Sequence, residues 1–219
     1  MTTADYLPQF RAGWSPEGLT CLLVVDLQYA TGSRHHGLGR NLAAEGRDDV
    51  VAKRFDRIEQ VIVPNTRRLL AGFRERGLPV VYVVNGSHRD DYGDMSPHMR
   101  KFAEYVGIHV DRKEYEILDE VAPEGDDLVL TKTTAGAFHS TGIDRILRSM
   151  GVTNVVTVGV STNACVDTTA RGACEHGYAT MLVEDATGSS HEHLHEAALQ
   201  SFSRLFGQVA STQDVLDAL

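Results

Sequence analysis

The stretch NVVTVGVSTNACVDTTARGACEHGYATMLVED, residues 154–185, decides the fold. Residues 154–160 are a continuous β-branched run, which fits a strand buried on both faces. Residues 163–177 read as a helix that stops at Gly177, and residues 178–185 begin a new apolar run. Working outward, similar runs occur at CLLVVD (21–26), PVVYVVNG (79–86) and DLVLTK (127–132), with a weaker one at GQVAS (207–211). Helical patterns lie between them at 51–77, 141–151, 191–207 and 211–219. In the first of these, Pro64 predicts a break or kink, with a helical start before it and the main helix after it. Strands alternating with helices predict an α/β chain, a three-layer α-β-α sandwich around a mostly parallel, Rossmann-like six-stranded sheet. Right-handed crossovers should connect the strands. A chain of 219 residues suits one domain, expected to span residues 1–219.

Composition narrows the function classes. A net charge of −9 leaves no basic face for nucleic acid, so no nucleic-acid partner is expected. No apolar run approaches membrane-spanning length, and no membrane association is expected. The start, MTTADYLPQF, lacks the basic patch and apolar core of a secretion signal. Three cysteines without paired spacing, Cys21, Cys165 and Cys174, fit a reducing cytoplasm. Cys21 lies in an apolar run and Cys174 inside a helix, where both should pack as small apolar residues.

Cys165 is different because of where the topology puts it. In open parallel sheets, ligands bind outside the carboxyl ends of the strands. Asp26 ends the first strand, Lys132 ends the third, and Cys165 follows the fourth by a short turn. Three distant residues therefore converge on one edge. A cysteine is nucleophilic as thiolate. A helix start and a nearby lysine would both lower its pKa. The charge of Asp26 opposes them, but its carboxylate can accept the thiol proton. The turn GVSTNAC is small and polar, so the amide of Cys165 and one near Ser161 are candidate oxyanion donors. The segment 29–49 reads as a long, polar, glycine-rich loop on the same edge, and 85–99 as a second.

These residues carry a family resemblance. An Asp-Leu-Gln after an apolar strand, followed by KTTAGAFHSTGIDRILRSMGVTNVVTVGVSTNACVDTTARGACEHGYATMLVEDA, resembles the isochorismatase-like cysteine hydrolases. The likeness runs from about residue 20 to 219 and is densest over 130–188. It implies an Asp26–Lys132–Cys165 triad and a non-proline cis peptide at Val160–Ser161 that helps to shape the oxyanion hole. It further implies attack of Cys165 on a carboxamide or ureido carbonyl, a thioester intermediate, and no cofactor. Homodimers or homotetramers are the expected assemblies. Isochorismatases proper lack the cysteine, so Cys165 points to C–N hydrolysis. The group that remains acts on linear amides and ureas such as N-carbamoylsarcosine, ureidoacrylate, biuret and triuret.

Departures and extra residues refine this expectation. The metal motif of nicotinamidases falls here on NGSHRDDYGDM, where His88, Asp90, Asp91 and Asp94 do not keep the expected order. A solvated loop without metal is expected. Arg34, His35, His36 and Arg40 lie beside the site in sequence; a guanidinium fork there could bind carbonyl oxygens or a carboxylate, or serve a surface or subunit contact. A multi-carbonyl substrate such as biuret or triuret would suit that loop. Asn85 could bond a substrate amide or cap its loop, and Phe138 could wall the pocket or belong to the core. His191 and His195 share a helix face without an evident third ligand, so structural roles are expected. Glu184 and Asp185 are expected in backbone or cap interactions, and Arg171 in an ion pair or subunit contact. Two other classes stay open here. One is a non-catalytic binding domain of the same fold. The other is a thiol redox sensor, which the lack of a partner cysteine near Cys165 disfavours.

Overall fold

A computed structural model describes Trp14 and residues 17–219. The stretch MTTADYLPQF lies outside the described residues. The chain runs β1 (Leu19–Val25), α1 (Tyr29–Gly32), α2 (Gly37–Ala44), α3 (Ala52–Arg57), α4 (Val63–Glu75), β2 (Val80–Asn85), α5 (Pro97–Val106) and β3 (Leu128–Lys132). It continues α6 (Ala137–Ser140), α7 (Ile143–Ser149), β4 (Val152–Val160), α8 (Asp167–Glu175), β5 (Ala179–Gly188), α9 (Glu192–Leu205), β6 (Gln208–Ala210) and α10 (Thr212–Asp217). The six strands form one sheet in the order β3-β2-β1-β4-β5-β6, every neighbouring pair parallel.

Side-chain alternation along the strands builds the two faces. Leu22 and Val24 of β1 join Tyr82, Val156, Val158 and Val183 on one face, packed against Phe55, Ile62, Leu69 and Phe73 of the long helical segment. Cys21, Leu23 and Val25 point the other way, with Val81, Val83 and Val155, against Ile143, Leu147, Ala170, Ala173 and Phe202. Both faces are dry, which is why the central strands read as unbroken apolar runs. No helix among the described residues is long and apolar enough to cross a membrane.

Pro64 does not break its helix. Residues 52–75 stay helical, with a π-helical turn at Ile58–Ile62 just before the proline. The Val63 amide bonds back to the Ile58 carbonyl, five residues earlier. Widening the helix there gives room for a ring that cannot donate a hydrogen bond and would collide with a carbonyl one turn back. The segment 29–49 is likewise not a plain loop, since it holds α1 and α2. Asn41 of α2 donates to the Tyr105 carbonyl of α5, and Arg40 pairs with Glu114 at 2.7 Å. These contacts tie the segment to the body of the protein.

The chain moves outward from β1 to β3, then restarts at β4 on the other side of β1. The reversal lies between β1 and β4, the switch point at whose carboxyl edge open parallel sheets bind their ligands. Gly159 is what lets the two strands meet so closely. Its φ is +115°, and a Cβ would lie 2.0 Å from the Val25 carbonyl oxygen. Gly159→Ala is therefore expected to cost about 3 kcal/mol or more, because backbone rather than a flexible side chain must move. A urea midpoint equal to that of the unaltered protein would contradict this.

Candidate active site

Each member of the Asp–Lys–Cys set is placed by a strand end. Asp26 follows β1 in a left-handed conformation, φ 50°. Its amide donates to the Val83 carbonyl at 3.1 Å, and its own carbonyl accepts from Thr31 Oγ1 at 2.6 Å. Lys132 ends β3, two strands away from β1. Strands lie about 4.8 Å apart, so only a long side chain reaches across β2 to Asp26. Lys132 does so, donating from Nζ to Asp26 Oδ2 at 2.9 Å. It also donates to the Thr134 carbonyl at 3.3 Å. Asn85, its register partner on β2, donates to the same carbonyl from Nδ2 at 3.4 Å. Gln28 fixes Asn85 from both sides, accepting from its amide and donating to its carbonyl, each at 2.8 Å.

Cys165 enters through a bent turn. The Val160–Ser161 peptide is cis, and Ala164 leaves helical geometry (φ −136°, ψ −106°) before α8 starts. The amides of Ala164 and Val166 both donate to the Ser161 carbonyl. His195 braces the turn from α9. Arg57 donates to its Nε2 at 2.9 Å, leaving Nδ1 to bond Thr162 Oγ1 at 2.8 Å. Burial pushes the His195 pKa down to about 4, so the ring stays neutral at physiological pH.

Lys132 is sealed from solvent at 0 % exposure and Asp26 nearly so at 3 %, whereas Cys165 keeps 8 %. The sulfur is the most accessible of the three. Burial pushes its thiol up to about 12, and the Asp26 charge adds to the rise more than Lys132 opposes it. This corrects the sequence-based expectation of a lowered pKa: desolvation outweighs the helix start and the lysine. Burial also works against the Lys132 charge, but Asp26, together with Cys165 once it is ionised, more than offsets it and raises its pKa. The second Asp26 oxygen, Oδ1, is buried without a hydrogen-bond partner. A resting thiol beside a carboxylate with an unoccupied oxygen calls for proton transfer to the carboxylate, not for a standing thiolate. Alkylation of Cys165 by iodoacetamide, followed by peptide mass spectrometry, should therefore keep accelerating above pH 10. A plateau near the ordinary thiol pKa of about 8.5 would contradict it.

Asn85 stands beside Lys132, as described. Arg34 is turned to acidic partners on the neighbouring helical segment, pairing with Glu59 at 2.7 Å and Asp56 at 2.9 Å. Its fork is taken up there. His35 and Arg34 line a pocket with Ala52 and Phe55 that none of the triad lines. The Phe138 ring packs on Gly172, His176 and Tyr178, two turns along α8 from Cys165. Asp185 accepts from both the amide and hydroxyl of Thr212, at 2.7 and 2.8 Å, as a cap on α10. Arg171 pairs with Asp167 at 2.8 Å.

One residue of the site was missed. Arg54 of α3 is buried, donating from Nη1 to Ser161 Oγ at 2.7 Å and from Nη2 to the Thr31 carbonyl at 3.0 Å. It thereby bridges the chain after Asp26 and the turn before Cys165. Burial lowers its pKa to about 10, which leaves it charged at neutral pH. A signal was present in the sequence. Arg54 lies three residues after Val51 and four before Ile58, on the apolar stripe of its helix.

Residues 20–214 match the isochorismatase domain model, and the chain belongs to that family. A ureidoacrylate amidohydrolase of Pseudomonas syringae pv. syringae is 31 % identical over 212 residues, 90 % of this chain and 82 % of that one. A ureidoacrylate amidohydrolase of Agrobacterium fabrum is 30 % identical over 210 residues, 89 % and 87 % of the two chains. The N-carbamoylsarcosine amidase structure from Thermoplasma acidophilum superposes with a TM-score of 0.65 at 28 % identity, covering 88 % of this chain and 96 % of that one. A cysteine hydrolase from Pseudomonas syringae pv. phaseolicola shares the fold, with a TM-score of 0.78 at 22 % identity over 95 % of each chain.

Proposed function

We propose that this chain hydrolyses a carbon–nitrogen bond of a small ureido or carbamoyl compound by covalent catalysis at Cys165. The chain is a hydrolase of amide C–N bonds. The observation that carries it is the Asp26 carboxylate, held by Lys132 through one oxygen and open at the other, beside the buried Cys165 thiol. Relatives named for ureidoacrylate and N-carbamoylsarcosine support the ureido class.

In this mechanism Asp26 takes the thiol proton as sulfur attacks the carbonyl carbon. The tetrahedral oxyanion is met by amides of the turn around Ser161 and Cys165. The C–N bond breaks, the nitrogen leaves with the proton from Asp26, and a thioester remains on Cys165. Water then adds, giving one proton to Asp26; collapse returns it to sulfur and releases the acid or carbamate. Lys132 holds the carboxylate in place and balances its charge throughout. A thiol sensor needs an exposed sulfur of low pKa, and Cys165 is neither exposed nor low.

The test is ammonia or amine release from a panel of ureidoacrylate, N-carbamoylsarcosine, biuret and triuret. Turnover of at least one is expected. Failure on all four, with folded protein, would contradict the ureido class. Failure on biuret and triuret alone would remove the multi-carbonyl substrates.

A further inference from the structure

We infer that Arg54 is the anion-binding residue of this site and that the substrate carries a carboxylate next to its ureido group. The inference rests on the C–N hydrolase reading above and goes beyond it. The guanidinium is 5 % exposed and makes two hydrogen bonds, both to neutral oxygens. Its Nε is buried without a partner. Among the described residues, no carboxylate lies within ion-pair distance of it. The other buried cation, Lys132, already has Asp26. With Cys165 resting as thiol, the site thus holds two cations and one anion and lacks one negative charge.

An uncompensated buried charge is strongly disfavoured unless something pairs with it. Arginine is the side chain whose flat fork suits a carboxylate, and it keeps its charge when buried. Position agrees with this role. Arg54 touches Ser161, on the turn that leads to Cys165, and Thr31, whose hydroxyl holds the Asp26 backbone. Ionisation of Cys165 would raise the Arg54 pKa, so the two groups are near enough to interact. Ser161 leads directly into the turn Thr162–Val166 that carries Cys165, so a carboxylate on Arg54 would lie at the nucleophile's end of the site. Arg34 is saturated by Asp56 and Glu59, and Arg40 is paired with Glu114.

The experiment compares kcat/KM for ureidoacrylate and for its neutral amide, in unaltered protein and in Arg54→Gln. The unaltered protein should prefer the acid, and that preference should fall at least about thirtyfold in Arg54→Gln, chiefly through KM, whatever the absolute loss. An arginine that only holds Ser161 in place would lower both substrates alike through kcat and leave the ratio unmoved; that result overturns the inference. So does an unaltered protein without preference for the acid. Where Arg54→Gln fails to fold, the same ratio is read on Arg54→Lys, which keeps the charge but loses the fork. A drop of about tenfold is then expected, and an unchanged ratio overturns the assignment. Hydrolysis of the amide without acid preference removes the role of Arg54 and leaves the cysteine hydrolase standing. Hydrolysis of neither removes both.

Discussion

Cys165→Ser is expected to lower kcat on any ureido substrate by at least about 10⁴-fold, with a melting temperature shifted by no more than about 4 °C. The catalytic loss follows from the element change. A serine hydroxyl beside Asp26 is a far weaker acid than a thiol, and the hydrogen-bonded carboxylate has no imidazole to assist it. The small stability change follows from volume and partners. Cys165 is a near-isosteric neighbour of serine at the edge of the α8 core, and its sulfur closes no disulfide. A variant that keeps a tenth of the activity would move the nucleophile elsewhere. A variant that unfolds would mean that the sulfur serves packing more than chemistry. Parallel circular dichroism and ammonia release separate these outcomes.

Asp26→Asn should lose both activity and stability. The base disappears, so thiol deprotonation in the attack step has no acceptor. At the same time Lys132 is left charged at 0 % exposure with one fewer partner. Breaking one side of a buried pair costs about 3–5 kcal/mol. The pH dependence gives a sharper check. With Asp26 gone, burial becomes the main influence on Lys132 and lowers its pKa from the ordinary lysine value. Between that lowered pKa and the unfolded value near 10.5, the unfolded chain then binds more protons than the folded one. Stability lost by Asp26→Asn should therefore be partly recovered as pH rises through this window. Adding Lys132→Met to Asp26→Asn should restore stability relative to the single variant, without restoring activity. Urea midpoints for the two single variants and the double one measure the coupling. Additive losses would mean that the 2.9 Å contact carries no net stabilisation.

The strands were legible because their reason for being strands is local. The runs at 21–26, 79–86 and 154–160 are apolar and buried on both faces, so the two sides of the sheet reinforce one pattern, while 127–132 forms the half-exposed edge strand. Their ends carried Asp26, Lys132 and Asn85, and the sheet rule placed those ends together. What failed to show was stabilised by tertiary contact. Helix α2, GLGRNLAA, holds two glycines and an asparagine and has little helix propensity of its own. It is helical because Leu42 is buried in the core and Asn41 and Arg40 bond to neighbouring segments. The π turn before Pro64 answers a local obstruction with geometry that periodicity does not encode. Arg54 hid for another reason. An arginine in an amphipathic helix is ordinarily read as solvated, and only its register against Val51 and Ile58 shows that it faces inward. The thiol pKa was misjudged in the same way. Charged neighbours are visible in sequence, whereas the desolvation that outweighs them exists only after folding.

The central claim is that sulfur becomes covalently bonded to the carbonyl carbon during turnover. Acid quench of the protein during steady-state hydrolysis of ureidoacrylate, followed by peptide mass spectrometry, tests it directly. The account predicts an acyl or carbamoyl mass increment on the peptide that contains Cys165, present during turnover, gone when substrate is exhausted, and absent from Cys165→Ser. Full-rate hydrolysis in oxygen-labelled water with no adduct on any cysteine would contradict it, most plainly if Cys165→Ser turned over at the same rate.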